Sequence, residues 1–260
     1  MLAPRKRFGQ HFLRDGGVIS HIIAALAPKK TDHLIEIGPG QGALTIPVLE
    51  QVKQLEVIEL DRDLIPLLQA RNRHHDKLII YNEDVLRFDF ETLKKDERLL
   101  RLFGNLPYNI STPLIFHVIR YAQLISDMLF MLQKEVAERL AAPVDSEHYS
   151  RLSVMVQYHC QVDLLFDVPA SAFHPPPKVT SSIVRLTPHH AYPYLAQHYP
   201  LFETIVRQAF GQRRKTLRNS LREMISNDIW EKVNLSSDLR PENLSVQDFV
   251  NLSNACRIPE

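Results

Sequence analysis

Apolar and polar positions along the chain switch repeatedly between a helical and a strand-like rhythm. Over residues 18–26, Ile19, Ile22, Ile23 and Leu26 share one face of a helix that Pro28 ends. Leu34, Ile35 and Ile37 then make a short buried strand in which Glu36 is the one carboxylate. Gly38, Gly40 and Gly42 follow at alternate positions, and Leu44, Val48, Leu49 and Val52 resume a helical spacing. Further strands are predicted over 55–60, 77–81, 99–103 and 128–133, with a helix over 134–141. Tyr149-Ser-Arg-Leu-Ser153 leads into another predicted strand over 154–158, and 182–186 reads as one more. Strands alternating with helices predict an α/β domain built on a parallel sheet.

Residues 188–200, rich in histidine, tyrosine and proline, read as a boundary. Two domains are expected, 1–190 and a small all-helical domain over 191–260. In the latter, Phe210, Leu217, Leu221 and Met224 form one face of an amphipathic helix. Arg214, Arg218 and Arg222 recur every four residues on another face, and a last helix spans 245–255.

Strand, glycine turn and helix open a nucleotide-binding βαβ unit. Glycine is needed there because the backbone turns sharply and a ligand approaches where a Cβ would collide. Gly38-x-Gly40-x-x-Ala43 satisfies the loose dinucleotide fingerprint, which brings in NAD. Gly38-x-Gly40-x-Gly42 equally suits the turn that holds S-adenosylmethionine in methyltransferases. Both ligands predict Glu59, about 20 residues beyond Gly38, as the acceptor for the ribose hydroxyls. Asp84 after the third long strand, followed by Val85, suits an adenine: the carboxylate accepts from the exocyclic amine and the apolar side chain covers the ring.

At 260 residues, 45% apolar and 23% charged, the composition is that of an ordinary globular protein. No run of about 18 apolar residues and no leader pattern are present, so a cytoplasmic protein without a membrane span is expected. Cys160 and Cys256 stand far apart and read as reduced thiols, and His189 and His190 lack partner ligands at metal spacing, so no metal is expected. The net charge of +1 hides two basic patches. One holds Arg5, Lys6, Arg7 and Arg14; the other holds Arg213, Arg214, Lys215, Arg218 and Arg222. Such patches are the footprint of a polyanion. Phe8, His11 and Phe12 are interleaved with the first, as in an arm that lies over a ligand or an RNA.

The most specific signal is Gly104-Asn105-Leu106-Pro107-Tyr108-Asn109 at the end of the fourth long strand. An adenine amine is a poor nucleophile because its lone pair is delocalised into the ring. The Asn105 carboxamide oxygen and the Leu106 carbonyl can both accept from it and favour a pyramidal nitrogen. Pro107 fixes the turn, and Tyr108 offers a face on which an extruded base can stack. A dehydrogenase would leave this tetrad and both basic patches unexplained.

With these residues in view, the chain closely resembles the small-subunit ribosomal RNA adenine dimethyltransferases of the KsgA type. The resemblance runs through RKRFGQHFL, EIGPGQGALT, VIELD, NEDVL, GNLPYNIS, LQKEVAERL, YSRLSV, FHPPPKVTSSIVRL and FGQRRKTLRNSL, nearly the whole length. It implies a Rossmann-like methyltransferase domain with S-adenosylmethionine as methyl donor. Donor contacts are implied for His11, Leu13, Gly38, Gly40, Glu59, Leu60, Asp84, Val85 and Asn105. Target-base contacts are implied for Asn105, Leu106 and Tyr108, with Phe173, held by Pro175, Pro176 and Pro177, as a second stacking surface. It further implies dimethylation of two adjacent adenosines in the loop of the 3′-terminal helix of 16S rRNA. The partner is then the immature small subunit, with a role in ribosome biogenesis, and a monomer is expected. The erythromycin-resistance methyltransferases of large-subunit RNA share the first half of the pattern and are the nearest alternative. The triple-proline segment and the residues from Phe210 to Leu217 tilt the reading to the small-subunit type. A non-catalytic assembly factor is the remaining alternative, against which the intact tetrad argues.

Overall fold

The computed structural model describes residues 11–73, 76–212 and 214–256, so Arg5, Lys6, Arg7 and Arg213 lie outside the described residues. The chain divides into two compact units. The first runs to Ala137 and resumes over Val162–Pro188; the second takes Glu138–Gln161 and continues from His189. The units are therefore interleaved along the chain, where the sequence suggests one cut between 190 and 191.

The first unit opens with β1 (Phe12–Leu13) and α1 (Gly16–Leu26). The Asp15 side chain caps α1 by accepting from the Val18 N–H at 2.9 Å, which satisfies one of the free donors of the first turn. There follow β2 (His33–Ile37), α2 (Thr45–Leu49), β3 (Leu55–Ile58), α3 (Ile65–Arg71), β4 (Leu78–Tyr81) and β5 (Leu100–Asn105). After α4 (Ser111–Val118) come β6 (Ile125–Gln133) and α5 (Lys134–Ala141), within which the chain passes to the second unit. It returns within β7 (Cys160–Val168) and adds β8 (Phe173–His174) and β9 (Ser181–Pro188).

β1 and β8 pair antiparallel in a small sheet of their own. The other strands form one seven-stranded sheet in the order β4-β3-β2-β5-β6-β9-β7. From β4 through β6 every neighbour is parallel, and β9 lies antiparallel to β6. Side chains alternate between faces. One face carries Leu34, Leu55, Val57, Phe103, Leu129 and Ile183, packed with Ile22, Ile23 and Leu26 of α1, Val48 and Leu49 of α2, and Leu68 of α3. Ile35, Ile37, Ile58, Leu102, Met128 and Phe130 alternate with these and are equally buried. A parallel sheet covered on both faces gives the near-continuous apolar strands seen in the sequence. β2 has β3 on one side and β5 on the other, so the strand order reverses there. That reversal opens a crevice at the carboxyl ends of the strands. Gly104 lets β5 close on β2: a Cβ at this position would lie 2.3 Å from the Ile37 carbonyl oxygen.

The second unit holds α6 (Arg151–His159), α7 (Tyr199–Gly211), α8 (Leu217–Ser220), α9 (Asn227–Lys232) and α10 (Val246–Ala255). Two stretches of this unit depart from the sequence pattern. Residues 154–158 are helical, not a strand. The Ser153 hydroxyl accepts from the Ser150 N–H at 3.0 Å and so starts the helix. Leu152, Val154, Met155, Val156 and Tyr158 are buried around most of its circumference, which erases the helical period and leaves an apolar run that mimics a strand. The single cationic helix over 210–224 is also broken. α7 stops at Gly211, and α8 begins afresh after Thr216 and lasts four residues. The N–H groups of Leu217 and Arg218 donate to the carbonyls of Leu239 and Ser237, each at 2.8 Å, so this backbone is held by a neighbouring loop instead of by a preceding turn. Arg214, Lys215, Arg218 and Arg222 are nonetheless all exposed.

Candidate active site

The crevice is built from the turn after β2. Gly38, Gly40 and Gly42 adopt φ of 69°, 56° and 83°, a left-handed region that side chains with a Cβ rarely enter. The turn is closed by the Gly42 N–H on the Pro39 carbonyl at 2.8 Å and tied to β3 by the Gly38 N–H on Ile58 at 2.9 Å. Glu59 joins the same frame. One carboxylate oxygen accepts from the Gly40 N–H at 3.1 Å and the other from the Asp61 N–H at 2.8 Å. Burial raises the Glu59 pKa above its ordinary value, with the Asp61 charge adding to the rise and the backbone N–H groups opposing it. Beneath it Glu36 is buried, bonded to the Thr45 hydroxyl at 2.6 Å. Burial pushes Glu36 up to about 8, with the Thr45 bond lowering and the neighbouring Glu59 charge raising it.

These residues surround a cavity of about 320 Å³. The arm and the first turn contribute His11, Leu13, Gly38 and Gly40 to its wall, and the ends of β3 and β4 contribute Glu59, Leu60, Asp84 and Val85. From the end of β5 come Asn105, Leu106 and Tyr108. Leu60 is 50% exposed, an apolar surface at the rim beside the buried Glu59. Asp84 accepts from the Leu86 N–H at 3.0 Å, and Asn82 donates to the Glu59 carbonyl at 2.7 Å, which locks the two strand ends together.

The turn from Asn105 to Ile110 is held from several sides. The Leu106 N–H donates to the Met131 carbonyl of β6 at 3.2 Å, and the Ile110 N–H donates to Pro107 at 3.1 Å. The Asn105 side-chain nitrogen donates to the His11 carbonyl at 3.0 Å. With that end of the carboxamide committed to the arm, its other end, Oδ1, is purely an acceptor. The His11 ring stacks on Tyr108 with centroids 5.6 Å apart, and the Tyr108 hydroxyl meets the Ser181 hydroxyl at 2.6 Å.

Among the expected donor and target-base contacts, Phe173 is the one outside the cavity wall. It pairs with Leu13 across β1 and β8, is 4% exposed, and belongs to the apolar core instead of the cavity wall. The wall also includes residues the sequence reading did not assign to the site: Glu36, Phe12, Pro39, Gln41, Asn109 and Ile110. Glu36 carried a signal, being a lone carboxylate in a buried strand. Phe12 carried one too, as a ring interleaved with the basic arm, and the β1–β8 pairing fixes its place.

The chain matches the family described as ribosomal RNA adenine dimethylase over residues 1–257. It belongs to that family. A ribosomal RNA small subunit methyltransferase A from Alcanivorax borkumensis is 53% identical over 255 residues, covering 98% of this chain and 91% of the relative. One of the same name from Pseudomonas syringae pv. tomato is 53% identical over 249 residues, covering 96% and 93%. Among solved structures, a dimethyladenosine transferase from Plasmodium falciparum superposes with a TM-score of 0.80 at 29% identity, covering 93% of this chain and 96% of that one. The 23S rRNA methyltransferase ErmE gives 0.73 at 21% identity, covering 94% and 99%, and shares the fold.

This member of the ribosomal RNA adenine dimethylase family is an enzyme, an S-adenosylmethionine-dependent rRNA adenine dimethyltransferase. The cavity suits that donor. A glycine turn lets backbone approach a ligand, two buried acids favour a cation, and the Leu60 and Val85 side chains offer apolar cover for a ring. The donor supplies a methyl group on a positively charged sulfur that is already a good leaving group.

Proposed function

We propose that this dimethylase acts on two adjacent adenosines in the loop of the 3′-terminal helix of small-subunit rRNA, within the immature particle, as a cytoplasmic monomer. Identities of 53% to relatives named for the small subunit support this over the large-subunit alternative, whose solved representative stands at 21%. One observation carries the assignment of roles: the donor-type wall of Gly38, Gly40, Glu59 and Asp84 and the acceptor turn Asn105–Tyr108 face one cavity.

In this reading Glu59 accepts from the ribose hydroxyls, Asp84 accepts from the adenine amine of the donor, and Leu60 and Val85 cover its ring. His11 and Leu13 close the cavity from the arm. Asn105 Oδ1 and the Leu106 carbonyl accept from the target amine and turn its lone pair toward the methyl group. Tyr108 stacks on the flipped base, and alignment supplies most of the rate. The hydrogen that becomes acidic on methylation is held at one of those two oxygens until water takes it. Phe173 is left out, since its ring is in the core. Arg214, Lys215, Arg218 and Arg222, with Arg5, Lys6, Arg7 and Arg213, supply RNA-backbone contacts.

The test is methyl transfer from labelled donor to small subunits lacking the modification, with large subunits and naked RNA in parallel. Dimethyladenosine on the small-subunit particle alone is expected. Label on large-subunit RNA would reassign the substrate, and no label despite donor binding would leave an assembly factor. Asn105→Ala is expected to slow transfer by about 100-fold or more while donor affinity changes only a few fold. Full activity in that variant would remove Asn105 from the chemistry.

A further inference from the structure

The triple-proline segment does not present Phe173 to the cavity, yet two of its neighbours touch the acceptor turn. Tyr108 has a fixed backbone: its carbonyl accepts from the Ser111 hydroxyl at 3.1 Å, and the Pro107–Ile110 bond closes the turn around it. What stays adjustable is the ring, through its side-chain torsions. The ring is held at two points. Its hydroxyl lies 2.6 Å from the Ser181 hydroxyl, and one side carries the His11 imidazole, inclined at 29°.

Both holds trace back to the segment running from Phe173 to Ser181. His11 Nδ1 lies 2.9 Å from the Pro175 carbonyl, and the adjoining Phe12 pairs with His174. Ser181 is fully buried and opens β9 opposite Gln133 of β6. The carbonyl of Thr180, just before it, accepts from the Lys134 N–H at 3.0 Å. β6 also supplies the Met131 carbonyl that anchors Leu106. The backbone of the acceptor turn and the tip of its aromatic ring are thus referenced to one strand. Ser181 itself is no part of the cavity wall.

We propose that Ser181 is a positioning residue for methyl transfer: through its hydroxyl it fixes the plane of Tyr108 against which the target adenine stacks. The inference rests on Tyr108 being that stacking platform. A ring set in advance spends no binding energy on being ordered when the base arrives, so loss of the tether slows the chemical step and leaves the donor site alone.

The experiment is a double-mutant cycle on single-turnover methyl transfer to small subunits, using Ser181→Ala, Tyr108→Phe and the pair. Each single substitution removes the same hydrogen bond from a different end. Each is expected to lower the rate about five- to tenfold, and the double variant is expected to be no slower than the slower single. Ser181→Thr keeps the hydroxyl and is expected within about twofold of wild type, and the KM for the donor should be unmoved throughout. A wild-type rate in either single variant, or losses that multiply in the double, would overturn the proposal. If Ser181→Ala fails to fold, Tyr108→Phe alone decides it by the same rate criterion. Tyr108→Ala separates this inference from the reading beneath it. Inactive Tyr108→Ala beside fully active Tyr108→Phe sinks the tether only, whereas fully active Tyr108→Ala sinks the platform and the tether with it.

Discussion

Among the cavity residues, Glu36 has a pKa moved far by burial. Its pKa rises from 4.5 to about 8 on folding, chiefly because burial penalises the charged form. The folded state therefore binds more protons than the unfolded chain between those values, and stability falls as pH climbs through them. Glu36→Gln is expected to melt several degrees above wild type near pH 8.5 without donor, by a margin that shrinks toward pH 4.5. A thermal melt across pH checks this. A cationic donor favours the ionised acid, so its binding below about pH 8 should release a proton. Calorimetry in two buffers of different ionisation enthalpy measures that release, which Glu36→Gln should abolish. Glu56 has the opposite sign. Burial would raise it, but bonds from His33, Tyr81 and Lys95 outweigh that and lower it to about 2. Its stabilisation is present above pH 4.5 and is lost as pH falls toward 2.

At the scale of elements, the β2–β5 contact governs how the glycine turn and the acceptor turn face one another. Gly104 has no unusual φ, and its need for glycine comes wholly from the Ile37 carbonyl 2.3 Å from where a Cβ would sit. Gly104→Ala is expected to destabilise by about 2 kcal/mol or more and to lower methyl transfer more than donor binding, because Asn105 is the next residue. Denaturant unfolding beside single-turnover rates tests both parts. Most of the first unit was legible because strand runs, glycines and strand-end acids follow the rules of a parallel sheet one by one. α6 was not, since burial around it removed the polar positions that would have marked a helix. The break after Gly211 was not either: the acceptors that start α8 are Leu239 and Ser237, far along the chain. The core position of Phe173 was not legible for a related reason. A phenylalanine before prolines looks the same in sequence whether it faces a base or pairs with a two-residue strand from the amino-terminal arm.

Across the whole molecule, charge separates by unit. The cavity gathers acids, while Arg214, Lys215, Arg218 and Arg222 are exposed in the second unit. Replacing Arg218 and Arg222 by alanine is expected to weaken binding to the small-subunit particle and to lower the salt dependence of that binding by about one unit of slope per residue. A filter-binding series at several salt concentrations measures it, and an unchanged slope would remove these residues from the RNA contact.

The sheet order also dictates when the sheet can be completed during synthesis. Every residue of the cavity wall has been made by Ile110, yet β9, the last strand, sits between β6 and β7. β7 emerges earlier and has no seat until β9 arrives to pair with it. A nascent chain that ends before Ser181 therefore holds every residue of the cavity wall with the edge of β6 still open and no Ser181 hydroxyl beside Tyr108. The sheet is thus completed late and at one step, with the insertion of a single strand.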